Sequence, residues 1–178
     1  QELAAYRAEN PSAETWNKQL SAFRHREILR IAIRDILVQV PLQDITGELS
    51  QLARVILEAD LHYVWDKQDI SPEEKSILAK HFCLFGMGKL GGGELNYSSD
   101  IDLIGVYEQD VELGDSSSHE FFTKLFMQTG KDLTKSDQNG FLYRVDWDLR
   151  PEGKSGTMAN SISSCEYYYQ TFGAEWER

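Results

Sequence analysis

Apolar residues recur at a spacing near 3.6 through the first part of the chain. In "RHREILRIAIRDILVQ", Arg24 to Gln39, the residues Ile28, Ile31, Ala32, Ile36 and Val38 gather along one side, with arginines between them. This predicts an amphipathic helix that Pro41 ends. Asp44 is the expected cap of the next helix, in which Leu49, Leu52, Ala53, Ile56, Ala59 and Tyr63 share a face. "SPEE" at Ser71–Glu74 marks another start, with a hydroxyl to cap, proline at the first position and glutamate at the third. That helix should end near Lys80. Residues 1–80 therefore read as an all-helical extension.

The pattern changes at residue 81. "HFCLFGM" is short, apolar and closed by glycine, as a strand would be. A brief helix is expected over Gly91–Leu95. "DIDLIGVY" begins with carboxylates alternating with apolar residues and becomes wholly apolar, the signature of a central strand. "VELGDSSS" reads as a loop, "SHEFFTKLFMQTGKDLTKS" as a helix, and Asn139-Gly140 as a turn. "FLYRVDWDL" has period two and predicts a third strand. "RPEGKSG" is a loop, and "SSCEYYYQTFGAEWER" starts further helix. The expected class is α+β, with a small mixed sheet flanked by helices over residues 81–178.

Composition narrows the chemistry. The chain has 178 residues, enough apolar material for a core, and no apolar run of the ~18 residues a membrane span needs. Acids outnumber bases 29 to 18, a net charge of −11. Proteins that grip nucleic acid by its phosphates carry a basic face, so nucleic acid is a poor main partner. The N-terminus has no apolar secretory segment, and without a Met it reads as part of a longer chain. Cys83 and Cys165 fit no CxxC spacing and read as reduced thiols of a cytoplasmic protein. The four histidines, His25, His62, His81 and His119, have no zinc spacing.

One stretch concentrates chemistry: "GMGKLGGGELNYSSDIDL", Gly86 to Leu103. Asp100 and Asp102 stand at i and i+2 at the head of a strand, so both side chains belong to one face. Two carboxylates on one patch repel unless a cation lies between them, and Mg²⁺ favours such oxygens together with phosphate. "YRVDWDL" offers a third acid, because Asp146 and Asp148 also share a face; Asp146 is the preferred choice. Three carboxylates around two metal ions are the equipment of phosphoryl and nucleotidyl transfer. The glycines around Gly88 can approach phosphate oxygens closely, and Lys89 adds a positive charge. Alone, each feature has a plainer reading: a solvated turn for DxD, a tight turn for the glycines. Together they favour a nucleotide site. Two rival motifs fail on context. Gly86-x-Gly88-x-x-Gly91 lacks the long helix of a dinucleotide fold, and "GKS" at Gly153–Ser155 has Asp148 where a Walker loop needs glycine.

The same letters resemble a known family. Glycine with a polar partner, a short helix and then [ST]-D-x-D on the next strand is the layout of the polymerase-β-like nucleotidyltransferase superfamily. Lys89 stands where that superfamily usually has serine. "GMGKLGG", "ELN", "SSDIDLI", "YRVD", "LRPEGKSG", "YYY" and "WER" together resemble glutamine synthetase adenylyltransferase, a bifunctional enzyme with two nucleotidyltransferase domains. Asn96, Ser98-Ser99, "YYYQTFG" and "EWER" look more like its N-terminal, adenylyl-removing half, with the C-terminal helices of the catalytic core cut short. The resemblance implies phosphorolysis: inorganic phosphate removes AMP from a tyrosine of glutamine synthetase and leaves as ADP. The other half would adenylylate with ATP; a catalytically silent nucleotide sensor is a third reading. It implies Asp100, Asp102 and Asp146 as ligands of Mg²⁺ or Mn²⁺, with Gly88 and Lys89 at the phosphates. It further implies that Ser99 holds the turn, that Arg150 and Lys154 contact phosphate or nucleotide, and that a PII-type signalling protein is a partner. Asp148 departs from the family pattern, where a basic residue is expected, and keeps the choice between Asp146 and Asp148 open.

Overall fold

The computed structural model describes residues 1–113, 116–136 and 140–175. Four helices come first: α1 (Glu2–Ala8), α2 (Ala13–Ile33), α3 (Leu42–Asp66) and α4 (Pro72–Leu78). Ser12 caps α2, its hydroxyl accepting from the Thr15 amide at 3.3 Å. Ser71 and Glu74 form a reciprocal capping box on α4, as "SPEE" predicts. Two local expectations change. The helix of Arg24–Gln39 does not run through to its end as an α-helix. It widens into a π turn over Arg34–Val38 and stops at Gln39, which takes a left-handed backbone. Asp44 is not a cap, because α3 already starts at Leu42 behind Pro41, leaving Asp44 in the first turn.

The sheet follows. β1 (Phe82–Met87) leads into the short α5 (Gly88–Gly92), then β2 (Ile101–Tyr107), the pair β3 (Glu112–Leu113) and β4 (Ser116–Ser117), α6 (Ser118–Thr134), β5 (Val145–Asp146), β6 (Ala159–Ser161) and α7 (Ile162–Thr171). β2 is central. β1 runs antiparallel to it with Met87 opposite Asp102. β5 and β6 both run parallel to it on the other side, β5 beside its start and β6 beside its end. The sheet is small and mixed and the class is α+β.

The brief helix expected at Gly91–Leu95 lies earlier, at Gly88–Gly92, because Gly93 adopts a left-handed backbone and ends it. "VELGDSSS" holds the short β3–β4 pairing rather than only loop; Gly114 and Asp115 lie outside the described residues. The third strand shrinks to Val145–Asp146. Leu142 and Tyr143 are buried not by strand pairing but because their amides bond the Leu133 carbonyl at the end of α6. β6, "ANS", has no apolar alternation and was not expected. The last helix ends at Thr171; Trp176–Arg178 and Asn139 of the expected turn lie outside the described residues.

One apolar core joins helices and sheet. Trp16 and Leu20 of α2, Ile45 and Ile56 of α3, Ile101 and Leu103 of β2, and Phe122 and Phe126 of α6 are all buried in it. The contact of α6 with β2 is so close that a Cβ at Gly105 would lie 2.3 Å from the Phe126 ring. Only glycine fits there, and this closeness seats β2 on the core.

A carboxyl lies inside this core. Asp60 of α3 is fully buried; the Trp16 indole donates to its Oδ1 at 2.9 Å, while its Oδ2 has no hydrogen-bond partner. Burial first, and then the charge of Asp132 on α6, push Asp60 well above the ordinary value of 3.8. The neutral acid is therefore the form the fold favours. Its stabilising contribution is full below the ordinary aspartate range and is lost as pH rises above it. Asp60→Asn keeps an acceptor for Trp16 and removes the ionisation. Its melting temperature should exceed that of the native chain by an amount that grows from pH 5 to pH 8, at roughly 2–4 °C per kcal/mol. Melts at both pH values check this; a constant gap would contradict it.

Candidate active site

The site lies where β1 ends and β2 begins. Gly88 follows β1 with a φ of +50°, a left-handed backbone. A Cβ there would stand 2.4 Å from Asp102 Oδ2. The glycine thus satisfies two demands at once, the turn out of the strand and the room beside a carboxylate. Leu90 anchors α5 in the core, and Arg54 of α3 donates to its carbonyl at 3.0 Å. The chain returns through a turn that Ser99 closes: its hydroxyl accepts from the Asn96 amide at 3.3 Å, and its amide donates to the Asn96 carbonyl at 3.2 Å.

Asp102 and Asp146 are register partners on adjacent parallel strands. Both are partly exposed. Burial raises the Asp102 carboxyl above the ordinary range, the charge of Asp146 adds to this and that of Asp100 adds further, while nearby Lys89 opposes it. β5 is held in place from behind. Trp147 packs on Gly130 of α6, where a Cβ would come within 3.2 Å of its indole nitrogen, and the Arg144 carbonyl accepts from the Ile101 amide at 2.9 Å.

The other expected residues are distributed differently. Asp100 lies just before β2, exposed, and forms an ion pair with Arg144, whose guanidinium also donates to the Ser98 carbonyl. Asp148 is not on β5. Its amide bonds Asp146 Oδ1 at 2.7 Å, and its carboxylate faces Lys154 at 3.2 Å. Arg150 is buried and donates to the carbonyls of Trp147, Lys154 and Gly156, bracing the loop between β5 and β6 from within. Among the described residues no three acidic, histidine or cysteine side chains stand together as a ready metal cluster. The donor set nevertheless suits a hard divalent cation: two carboxylates in register, a third nearby in the hold of an arginine, and beside Asp102 a space that any side chain at Gly88 would fill.

Arg144 is the residue that sequence reasoning missed. Its only trace was its place two before Asp146 in a period-two run, and its partner is 44 residues away. A cleft beside this pair is lined by Arg24, Tyr97, Ser98, Ser99, Tyr143 and Arg144. No helix among the described residues is long and apolar enough to cross a membrane.

Comparison with known proteins agrees with the motif set. The family model described as glutamate-ammonia ligase adenylyltransferase matches residues 1–178. A protein of Vibrio parahaemolyticus serotype O3:K6, named bifunctional glutamine synthetase adenylyltransferase/adenylyl-removing enzyme, is 39% identical over 99% of this chain and 19% of its own length. Proteins of the same name from Nitrosococcus oceani and Burkholderia pseudomallei are 40% and 37% identical, over 89% and 99% of this chain and 17% and 20% of their own lengths. The chain thus spans about a fifth of the length of these relatives. With a match across its whole length, the chain belongs to the glutamate-ammonia ligase adenylyltransferase family.

Proposed function

We propose that residues 81–178 form a polymerase-β-like nucleotidyltransferase core, that residues 1–80 are its helical extension, and that the site removes AMP from adenylylated glutamine synthetase. The observation that carries this reading is the register of Asp102 with Asp146 behind Gly88 and Lys89. The relatives' name covers both adenylyl transfer and adenylyl removal. "SSDID" and "YYYQTFG", with their likeness to the adenylyl-removing half, favour removal. A PII-type signalling protein fits as the controlling partner.

In this reaction an oxygen of inorganic phosphate forms a bond to the AMP phosphorus. The bond from that phosphorus to the tyrosyl oxygen breaks, and the tyrosyl oxygen leaves with the electron pair and gains a proton. The products are ADP and free tyrosine. Asp102 and Asp146, joined by Asp100, would hold Mg²⁺ or Mn²⁺, which when bound neutralises charge on the transferring group. Lys89 supplies positive charge toward the phosphates and already draws on Asp102. Gly88 keeps the space beside Asp102 open. Ser99 fixes the turn that delivers Asp100. Asp146 is taken as the third ligand over Asp148, supported by its register with Asp102, while Asp148 faces Lys154. Arg150 braces the loop after β5, and Lys154, largely exposed beside Asp148, would contact the nucleotide.

Two outcomes test the reading. With adenylylated glutamine synthetase, Mg²⁺ and phosphate, Asp102→Asn should lose ADP formation by on the order of 10²–10³-fold while keeping its circular dichroism spectrum. Undiminished turnover would remove Asp102 from the site. Gly88→Ala and Gly93→Ala each force alanine into a left-handed backbone, at a cost of about 1 kcal/mol or more. Only Gly88→Ala also crowds Asp102, since nothing lies within 4 Å of a Cβ at Gly93. Both variants should melt lower, but only Gly88→Ala should lose activity; equal losses would show that the space beside Asp102 is not needed.

A further inference from the structure

Asp100 does not stand free for a cation. Arg144 Nε donates to its Oδ1, and Nη2 donates to the Ser98 carbonyl. Both side chains of the pair are about half exposed, at 54% and 48%. An exposed pair of this kind is weak and can be displaced. The Arg144 backbone is fixed beside β2 through the Ile101 amide, so the guanidinium can change partners without moving the strand. It borders the cleft with Arg24, whose guanidinium lies 5.0 Å over the Tyr143 ring and whose buried Nε has no hydrogen-bond partner. Arg24, Arg144, Ser98 and Ser99 all line that cleft, and Arg144 sets it next to the Asp100 carboxylate. That is phosphate chemistry, and an arginine fork matches phosphate oxygens well.

We propose that Arg144 is an internal counter-cation for Asp100, which a divalent ion displaces, and that the freed guanidinium then takes up phosphate oxygens in the cleft beside it. This rests on the metal-dependent reading of the site given above. Displacement links the two ligands: the metal must remove Arg144 from Asp100, and removal makes Arg144 available to phosphate. The two should therefore bind with positive cooperativity. Arg144 acts as a positioning residue, offsetting the Asp100 charge in the metal-free site and orienting phosphate in the loaded one.

The test is Mn²⁺ binding to the 178-residue chain, read from the free-Mn²⁺ paramagnetic resonance signal, with and without inorganic phosphate. Arg144→Gln should bind Mn²⁺ roughly two- to fivefold more tightly than the native chain when phosphate is absent, as the loss of one exposed ion pair allows. Phosphate should tighten Mn²⁺ binding in the native chain and not in Arg144→Gln. In an Asp100→Asn background Arg144→Gln should have no effect on the metal. Arg144→Lys keeps the charge but not the fork. It should fall between the native chain and Arg144→Gln, and it serves if the glutamine variant does not fold. A folded Arg144→Gln that binds Mn²⁺ equally or more weakly overturns the exchange while leaving the metal site standing. No Mn²⁺ binding by the native chain at millimolar metal overturns both.

Discussion

Asp102 and Asp146 repel each other across a parallel strand pair, and the fold holds them there all the same. The force that does so comes from the apolar positions around them. Ile101 and Leu103 flank Asp102 and are fully buried. They cannot leave the core without exposing their side chains to water, at roughly 1.5–3 kcal/mol each. Trp147 anchors β5 on α6 in the same way, one residue beyond Asp146. Alternation along each strand then leaves the acids no other side to point to. The site is thus a consequence of packing: its charges stay together because their neighbours in sequence are hydrophobic.

Around this pair the structure balances charge with nearby cations. Lys89 faces Asp102, Arg144 holds Asp100, and Lys154 holds Asp148. Each lies on a different segment, so the three acids have different environments despite their likeness in sequence. Asp148 is tied to the following loop, Asp100 to the cleft, and only Asp102 and Asp146 share a ladder position. A chain with a net charge of −11 still sets three cations, Lys89, Arg144 and Lys154, among the acids of this region.

The longer helices, apart from their ends, and the two long strands were legible in the sequence because their periods extend over many residues. "DIDLIGVY" could only be a buried strand, and "SPEE" could only start a helix. The shorter pieces were not legible. β5 is two residues long, and its apparent extension through Leu142 and Tyr143 reflects docking against Leu133. β6 is defined by pairing with Gly105–Tyr107, a tertiary fact that "ANS" does not encode. The strand positions of Asp102 and Asp146 were legible through alternation. Arg150 was not: an arginine in a loop reads as a ligand-binding charge, whereas here its guanidinium braces three backbone carbonyls. The bond between Arg144 and Asp100 joins residues far apart in the chain, and no local pattern announces it.

Isotope tracing tests the central claim most directly. The chain is mixed with adenylylated glutamine synthetase, Mg²⁺ and ³²P-labelled inorganic phosphate, and the nucleotide product is separated. The account predicts label in the β-phosphate of ADP, because the labelled phosphate itself attacks the AMP phosphorus. Unlabelled nucleotide, or adenylylation of the unmodified synthetase from ATP in place of removal, would contradict it.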